Sequence, residues 1–192
     1  MALSAVPIER LDAQGGSDWE TAPLHELIVY IVSRHHTFVR SQLPRIEAVF
    51  DRILERKGAE IRNFVLPLGK AFLDLRLDLE AHLAKEENIL FPHIVRLAVA
   101  RKHGAPPPHS TFGSVEGLVR AMENEHDSAK RTLQEMRRLT NGYSLEGNPC
   151  RERFDLFEAL KELEADVELH LGLENDILHP RALRLESECA AF

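Results

Sequence analysis

Apolar positions recur at helical spacing from one end of the chain to the other. Between about 22 and 57 they fall at Leu24, Leu27, Ile28, Ile31, Val32, Phe38, Val39, Leu43 and Ile46, one stripe of a 3.6-residue period. Thr21 and Pro23 suit the start of this helix, Gly58 is its stop, and Pro44 is expected to kink or interrupt it. A second helix is expected from about 62 to 101, with Pro67 in its first turns and Pro92 bending it or breaking off a short C-terminal piece. The stretch "HGAPPPHSTFG" (103–113) reads as a loop. A third helix follows Ser114 as N-cap and ends at Asn141-Gly142. The fourth starts at Asn148 as cap with Pro149 in the first helical position, and runs to about 178, where Pro180 ends it. No stretch of period 2 interrupts this pattern. It predicts an all-α protein, an antiparallel up-down-up-down four-helix bundle over 19–186, with a flexible lead-in at 1–18 and a short tail at 187–192.

Composition narrows the class. The formal net charge of −7 argues against a nucleic-acid binder. The N-terminus lacks the charged-then-apolar pattern of a signal peptide, and the run "LIVYIV" (27–32) is far too short to cross a membrane, so no membrane association and a cytoplasmic location are expected. The two cysteines, Cys150 and Cys189, form no CxxC pair and read as free thiols. Ten histidines in 192 residues are many, and their placement carries the chemistry.

A phrase is written twice. "HLAKEENILFP" (82–92) returns as "HLGLENDILHP" (170–180), identical at six of eleven positions. Each copy contains His-x-x-x-Glu, His82/Glu86 and His170/Glu174, one turn apart on one helix face. A single such pair is commonly a solvated ion pair. Here both share a face with apolar residues, Leu75, Leu79, Ile89 and Leu90 in the first copy and Leu163, Val167, Ile177 and Leu178 in the second. A carboxylate on that face must be paired or metal-bound. Asp78 and Asp166, one turn before each histidine, are either acceptors for the imidazole N–H or end-of-core ion pairs.

The other two helices carry "RHHTFVR" (34–40) and "ENEHDSAK" (123–130), which match at an offset of 90, His36 on His126 and Arg40 on Lys130. His36, His82, His126 and His170 lie 46, 44 and 44 residues apart, so an antiparallel bundle brings them to one level. Four imidazoles and two carboxylates exceed one tetrahedral zinc and suit redox-active first-row metals, iron above all. If each glutamate bridges, each of two irons has two His nitrogens and two Glu oxygens. An oxo or hydroxo bridge would add a fifth ligand, leaving a position for a diatomic such as O2 or NO. The Glu-x-x-His pattern of ferritin-like sites is absent.

These residues resemble the hemerythrin-like (HHE) cation-binding family, and within it the di-iron repair-of-iron-centres proteins. The similar phrases are "DWETAPLHELIVYIVSRHH" (18–36), "RSQLPRIE" (40–47), "HLAKEENILFP" (82–92), "ENEHDSA" (123–129) and "LHLGLENDILHPRAL" (169–183). The resemblance implies a hemerythrin-like bundle whose iron ligands are His36, His82, Glu86, His126, His170 and Glu174. It implies a role in repair or protection of iron–sulfur centres under nitrosative or oxidative stress, by iron donation or NO reduction, with apo iron–sulfur proteins as partners. Whether the di-iron centre turns over NO or peroxide is left open. The alternative is reversible O2 or NO binding, sensing or storage without turnover; a metal-free helical interaction module is a third reading. Family members often carry an N-terminal module with adjacent cysteines, a pair this chain lacks. Oxygen-carrying hemerythrins place a second histidine where this chain has Lys130, and His179 stands where the first repeat has Phe91.

Of the remaining histidines, His35 is expected to point about 100° away from His36, in a packing or hydrogen-bonding role beside the site. Glu125, next to His126, is a candidate acid near the site mouth. His93 and His179 are expected to lie off the site, and His25, His103 and His109 at the surface or in structural roles.

Overall fold

The computed structural model describes residues 18–55, 61–109, 111–145 and 150–190. Among these, four long helical runs account for the chain: α1 over 24–54, α2 over 61–102, α3 over Val115–Leu139 and α4 over 151–190. Side-chain bonds give their directions. Arg40 meets Glu87 and Arg76 meets Glu47, so α1 and α2 are antiparallel. Arg137 meets Glu164 while the Val115 N–H meets Glu186, so α3 and α4 are antiparallel. The expected bundle is therefore present. Gly58, Asn148 and Pro149 lie outside the described residues, as does all but the last residue of the lead-in.

Local chemistry explains several boundaries. Ser114 caps α3, its Oγ accepting from the Gly117 N–H at 3.1 Å. Ser114→Ala is expected to cost about 1 kcal/mol, read from the denaturant midpoint; an unchanged midpoint would mean the cap contributes nothing. At the other end of α3, Asn141 enters the left-handed region with φ 50°, and the Gly142 N–H reaches back to the Arg137 carbonyl at 2.8 Å. Pro44 does not interrupt α1, and both it and Arg40 lie on the exposed face, where the carbonyl that proline leaves free is open to solvent. Arg181 donates to the carbonyls of Trp19 at 2.5 Å and Ala22 at 2.6 Å, tying the entry of α1 to α4.

The expected stop at Pro180 is not observed. The fourth helix continues to Ala190, and the second likewise passes Pro92 to Lys102. The cause is a widened π turn just before each proline, at Glu86–Leu90 and Glu174–Leu178. In these turns the N–H of Phe91 bonds the Glu86 carbonyl and that of His179 bonds the Glu174 carbonyl, five residues back. The ladder is reset there, so each proline sits in the first turn of a new α segment, where its missing N–H is surplus. Two further π turns lie at Ile31–His36 in α1 and at Ile61–Val65, where α2 begins.

The core is divided in two. One apolar cluster gathers Val39, Leu43, Leu68, Leu75, Leu163 and Phe157 with their neighbours. The other gathers Leu27, Ile31, Ile94, Leu97, Val119 and Leu178 with theirs. Between them, near the middle of all four helices, lies a buried polar layer. The described residues contain no helix long and apolar enough to cross a membrane.

Candidate metal centre

That layer is made by His36, His82, Glu86, His126, His170 and Glu174, every one of them buried. The one-turn spacing of His82/Glu86 and His170/Glu174 puts both side chains of each pair on one face. The π turns Ile31–His36, Glu86–Leu90 and Glu174–Leu178 end or begin on His36, Glu86 and Glu174, so widened stretches of three helices fall at the layer. Such turns are rare and frequent at functional sites.

The six side chains form two overlapping groups. In one, His36, His170, Glu86 and Glu174 offer ligand atoms within 4.8 Å of one another; in the other, His82 and His126 join the same two glutamates. Each carboxylate turns one oxygen to each group. Glu86 Oε2 is 3.4 Å from His36 Nε2 and Oε1 is 3.3 Å from His82 Nε2. Glu174 Oε1 is 3.1 Å from His170 Nε2 and Oε2 is 3.3 Å from His126 Nε2. The imidazoles also face each other, Nε2 to Nε2, at 3.2 Å for His36 and His170 and 3.1 Å for His82 and His126. None of the glutamate contacts is aligned as a hydrogen bond, and all four carboxylate oxygens lack a donor. Buried polar atoms left this way are costly. Two nitrogens and two oxygens per group satisfy a cation where they cannot satisfy one another, and the mixed N/O set is one that first-row transition metals accept.

Electrostatics agree with that reading. Glu86 is pushed up to about 8, first by burial and then by the charge of Glu174. At Glu174 burial pulls upward too, but the adjacent His170 and His126 imidazoles outweigh it and lower the carboxyl. Without a cation the two carboxylates therefore share one proton at neutral pH. Burial opposes the charged form of His170, and Glu174 overcomes it and raises the imidazole.

The far nitrogens of three of the imidazoles are held from neighbouring helices. His36 Nδ1 is 2.7 Å from Glu87 Oε1, which also accepts from Arg40. His82 Nδ1 is 3.0 Å from Glu125 Oε2, and Lys85 binds the other oxygen of Glu125. His126 Nδ1 is 2.8 Å from Asn175 Oδ1. At Glu87 and Glu125 burial acts upward, and their cationic and imidazole partners bring both carboxyls below the usual range. Asp78 is not one of these acceptors: it is exposed, and His82 turns to Glu125 across the helix interface instead. Asp166 is buried but faces His35, whose Nδ1 is 3.1 Å away, while the His35 ring stacks on His170. Glu87 and Asn175 escape a reading of the sequence that looks only along each helix. The signal for them is that both directly follow a repeated glutamate, at matched positions of the two copies.

His179 departs from expectation. It is fully buried and stacks on His126, ring centroids 5.7 Å apart and 11° from parallel. The π turn inserts an extra residue between Glu174 and His179, which brings a side chain five residues on back toward the site. Phe91 stacks on His36 by the same device. Burial drives the His179 imidazole down to about 4, so it packs as a neutral ring. His93 is buried in the upper core and belongs to neither group, and His25, His103 and His109 are exposed. Cys150 is exposed and Cys189 buried, both as free thiols.

Similarity to known proteins points the same way. The family model described as hemerythrin HHE cation binding domain matches residues 27–182. The iron-sulfur cluster repair protein YtfE of Citrobacter koseri is 34% identical over 182 residues, which is 94% of this chain and 73% of that protein. The protein of the same name in Musicola paradisiaca is 33% identical over 191 residues, 97% of this chain and 79% of its own length. The Escherichia coli O81 counterpart is 34% identical over 182 residues, again 94% of this chain and 73% of that protein.

Proposed function

Because the chain belongs to the hemerythrin HHE cation-binding family, we propose that it is a non-haem di-iron protein that repairs or protects iron–sulfur centres under nitrosative or oxidative stress. The repair role is the one its relatives' names carry. The observation that supports it best is the pair of four-residue groups sharing Glu86 and Glu174. Two groups with two common carboxylates suit two ions held side by side, with each glutamate serving both. His36 and His170 complete one position, His82 and His126 the other.

Bound iron would supply redox chemistry toward a diatomic such as NO or O2, and an ion that can be passed on. The chain supplies the rest. Glu87, Glu125 and Asn175 fix the orientation of three imidazoles and draw their Nδ1 protons. The apolar clusters above and below keep bulk water from the layer. A cleft of ≈ 220 Å³ between α2 and α3, lined by Lys85, Glu125, His82 and His126, gives small molecules a way in. Reversible oxygen carriage has less support, because Lys130 is exposed where the oxygen carriers place another histidine.

The test is transfer. The ferrous-loaded chain, mixed anaerobically with an apo iron–sulfur protein, a thiol reductant, and a cysteine desulfurase with cysteine as the source of sulfane sulfur (which takes up the electrons the ferrous ions lose), is expected to restore the client's cluster absorbance, and the chelator-stripped chain is not. A loaded chain that keeps its iron while the client stays apo would remove the donor role.

A further inference from the structure

The approximate two-fold symmetry of the centre fails at one imidazole. Glu125 precedes His126 on α3 and accepts from His82 Nδ1 at 3.0 Å. His35 precedes His36 on α1 and stands in the corresponding place beside His170. It offers no acceptor there. The two rings lie 8° from parallel with centroids 5.7 Å apart, so His35 presents its face to His170. Asp166, one turn before His170, could have served, but it is turned to His35 Nδ1 at 3.1 Å. His170 Nδ1 is left buried with no partner.

The two groups are thereby unequal. In the His82/His126 group both Nδ1 atoms have acceptors, Glu125 and Asn175. In the His36/His170 group only His36 has one, Glu87. An imidazole that binds a cation through Nε2 must carry its proton on Nδ1. If that proton has no acceptor in a buried site, the donor stays unsatisfied and the ring is a weaker ligand. The same side of the bundle has an opening: a cleft of ≈ 370 Å³ between α1 and α4, lined by Trp19, Tyr30, His35 and Leu173 among others.

We propose that the two cation positions differ in affinity, that the His36/His170 position is the weak one that releases its ion first, and that His35 sets this difference. The inference rests on the two-ion reading above and adds which ion leaves. A donor so built hands on one ion and keeps the other, since Glu86 and Glu174 remain as ligands of the ion held by His82 and His126.

The experiment follows ferrous ion leaving the anaerobically loaded chain into excess chelator, by absorbance of the chelate. The wild type is expected to release its iron in two phases of equal amplitude, separated by about 10- to 100-fold in rate. His35→Gln supplies an amide acceptor of the kind Asn175 gives His126, adds no charge beside Asp166, and is expected to slow the fast phase toward the slow one. Asn175→Leu removes the acceptor from His126 and is expected to quicken the slow phase, an independent arm should His35→Gln fail to fold. Two ions leaving at a single rate, or two phases that neither substitution moves, overturn the proposal while leaving the two-ion reading intact. A wild-type chain that takes up no ferrous ion overturns both.

Discussion

Glu86→Ala, and equally Glu174→Ala, is expected to abolish binding of both iron ions. Each glutamate belongs to both ligand groups and gives one oxygen to each. Removing either carboxylate takes a ligand from both positions at once and leaves the other glutamate as the sole negative charge in the layer. The loss should exceed the ~10–100-fold that follows when only a supporting residue is changed. His82→Ala is the contrast, because it leaves His36, Glu86, His170 and Glu174 as a complete group. Metal analysis after gel filtration is the measurement. The wild type is expected to carry about two irons per chain, the glutamate variants background levels, and the His82 variant an intermediate amount. Circular dichroism guards against the trivial cause, and Glu86→Gln, which keeps the shape, separates lost charge from a cavity. One zinc per chain in the wild type, or a glutamate variant that keeps its iron, would sink the assignment.

Stripping the metal should also lower stability, with a sign in pH. In the metal-free chain Glu86 sits at about 8, against 4.5 for a free glutamate, because of burial and then Glu174. A carboxyl raised on folding binds its proton more tightly in the folded state. Stability therefore falls as pH climbs from about 4.5 to about 8, and the penalty is complete above that. Glu174 runs the other way. Its lowered carboxyl contributes stability present above 4.5 and lost only as pH falls through its own depressed value. In the loaded chain the cations replace the shared proton, and the loss attached to Glu86 disappears. With ion at a thousand times its dissociation constant, binding adds about 4 kcal/mol, which for a chain of this size is roughly 10 °C in Tm. Melts at about pH 6 and about pH 8, with and without chelator, should therefore show a wider gap at the higher pH. Coincident melts in all four conditions would mean the polar layer is satisfied without metal.

What the sequence made legible was the convergence of six residues. A repeat, a shared apolar face and near-equal spacing suffice to bring His36, His82, His126 and His170 to one level with Glu86 and Glu174, because antiparallel helices of similar length leave them little choice. What it hid depends on the π turns and on partners from other helices. Pro180 reads as a stop and His179 as facing away only if the ladder is α throughout. One extra residue per widened turn alters both conclusions, and nothing in "ENDILHP" announces it beyond the proline itself. Asp78 lines up with His82 along α2, whereas His82 finds Glu125 on α3. Spacing within one helix says which residues share a face, not which neighbouring helix supplies the closer oxygen.

The split core has a mechanical consequence. Loops join consecutive helices only at their ends, which leaves the middle of each helix the part freest to part from its neighbours. The polar layer lies there, and it draws on all four helices. A pair of ions in it would act as a cross-link at mid-span, a rivet through four staves at the level where the two apolar clusters leave off. Each ion given away would remove part of that rivet, so the bundle would loosen in step with its own unloading.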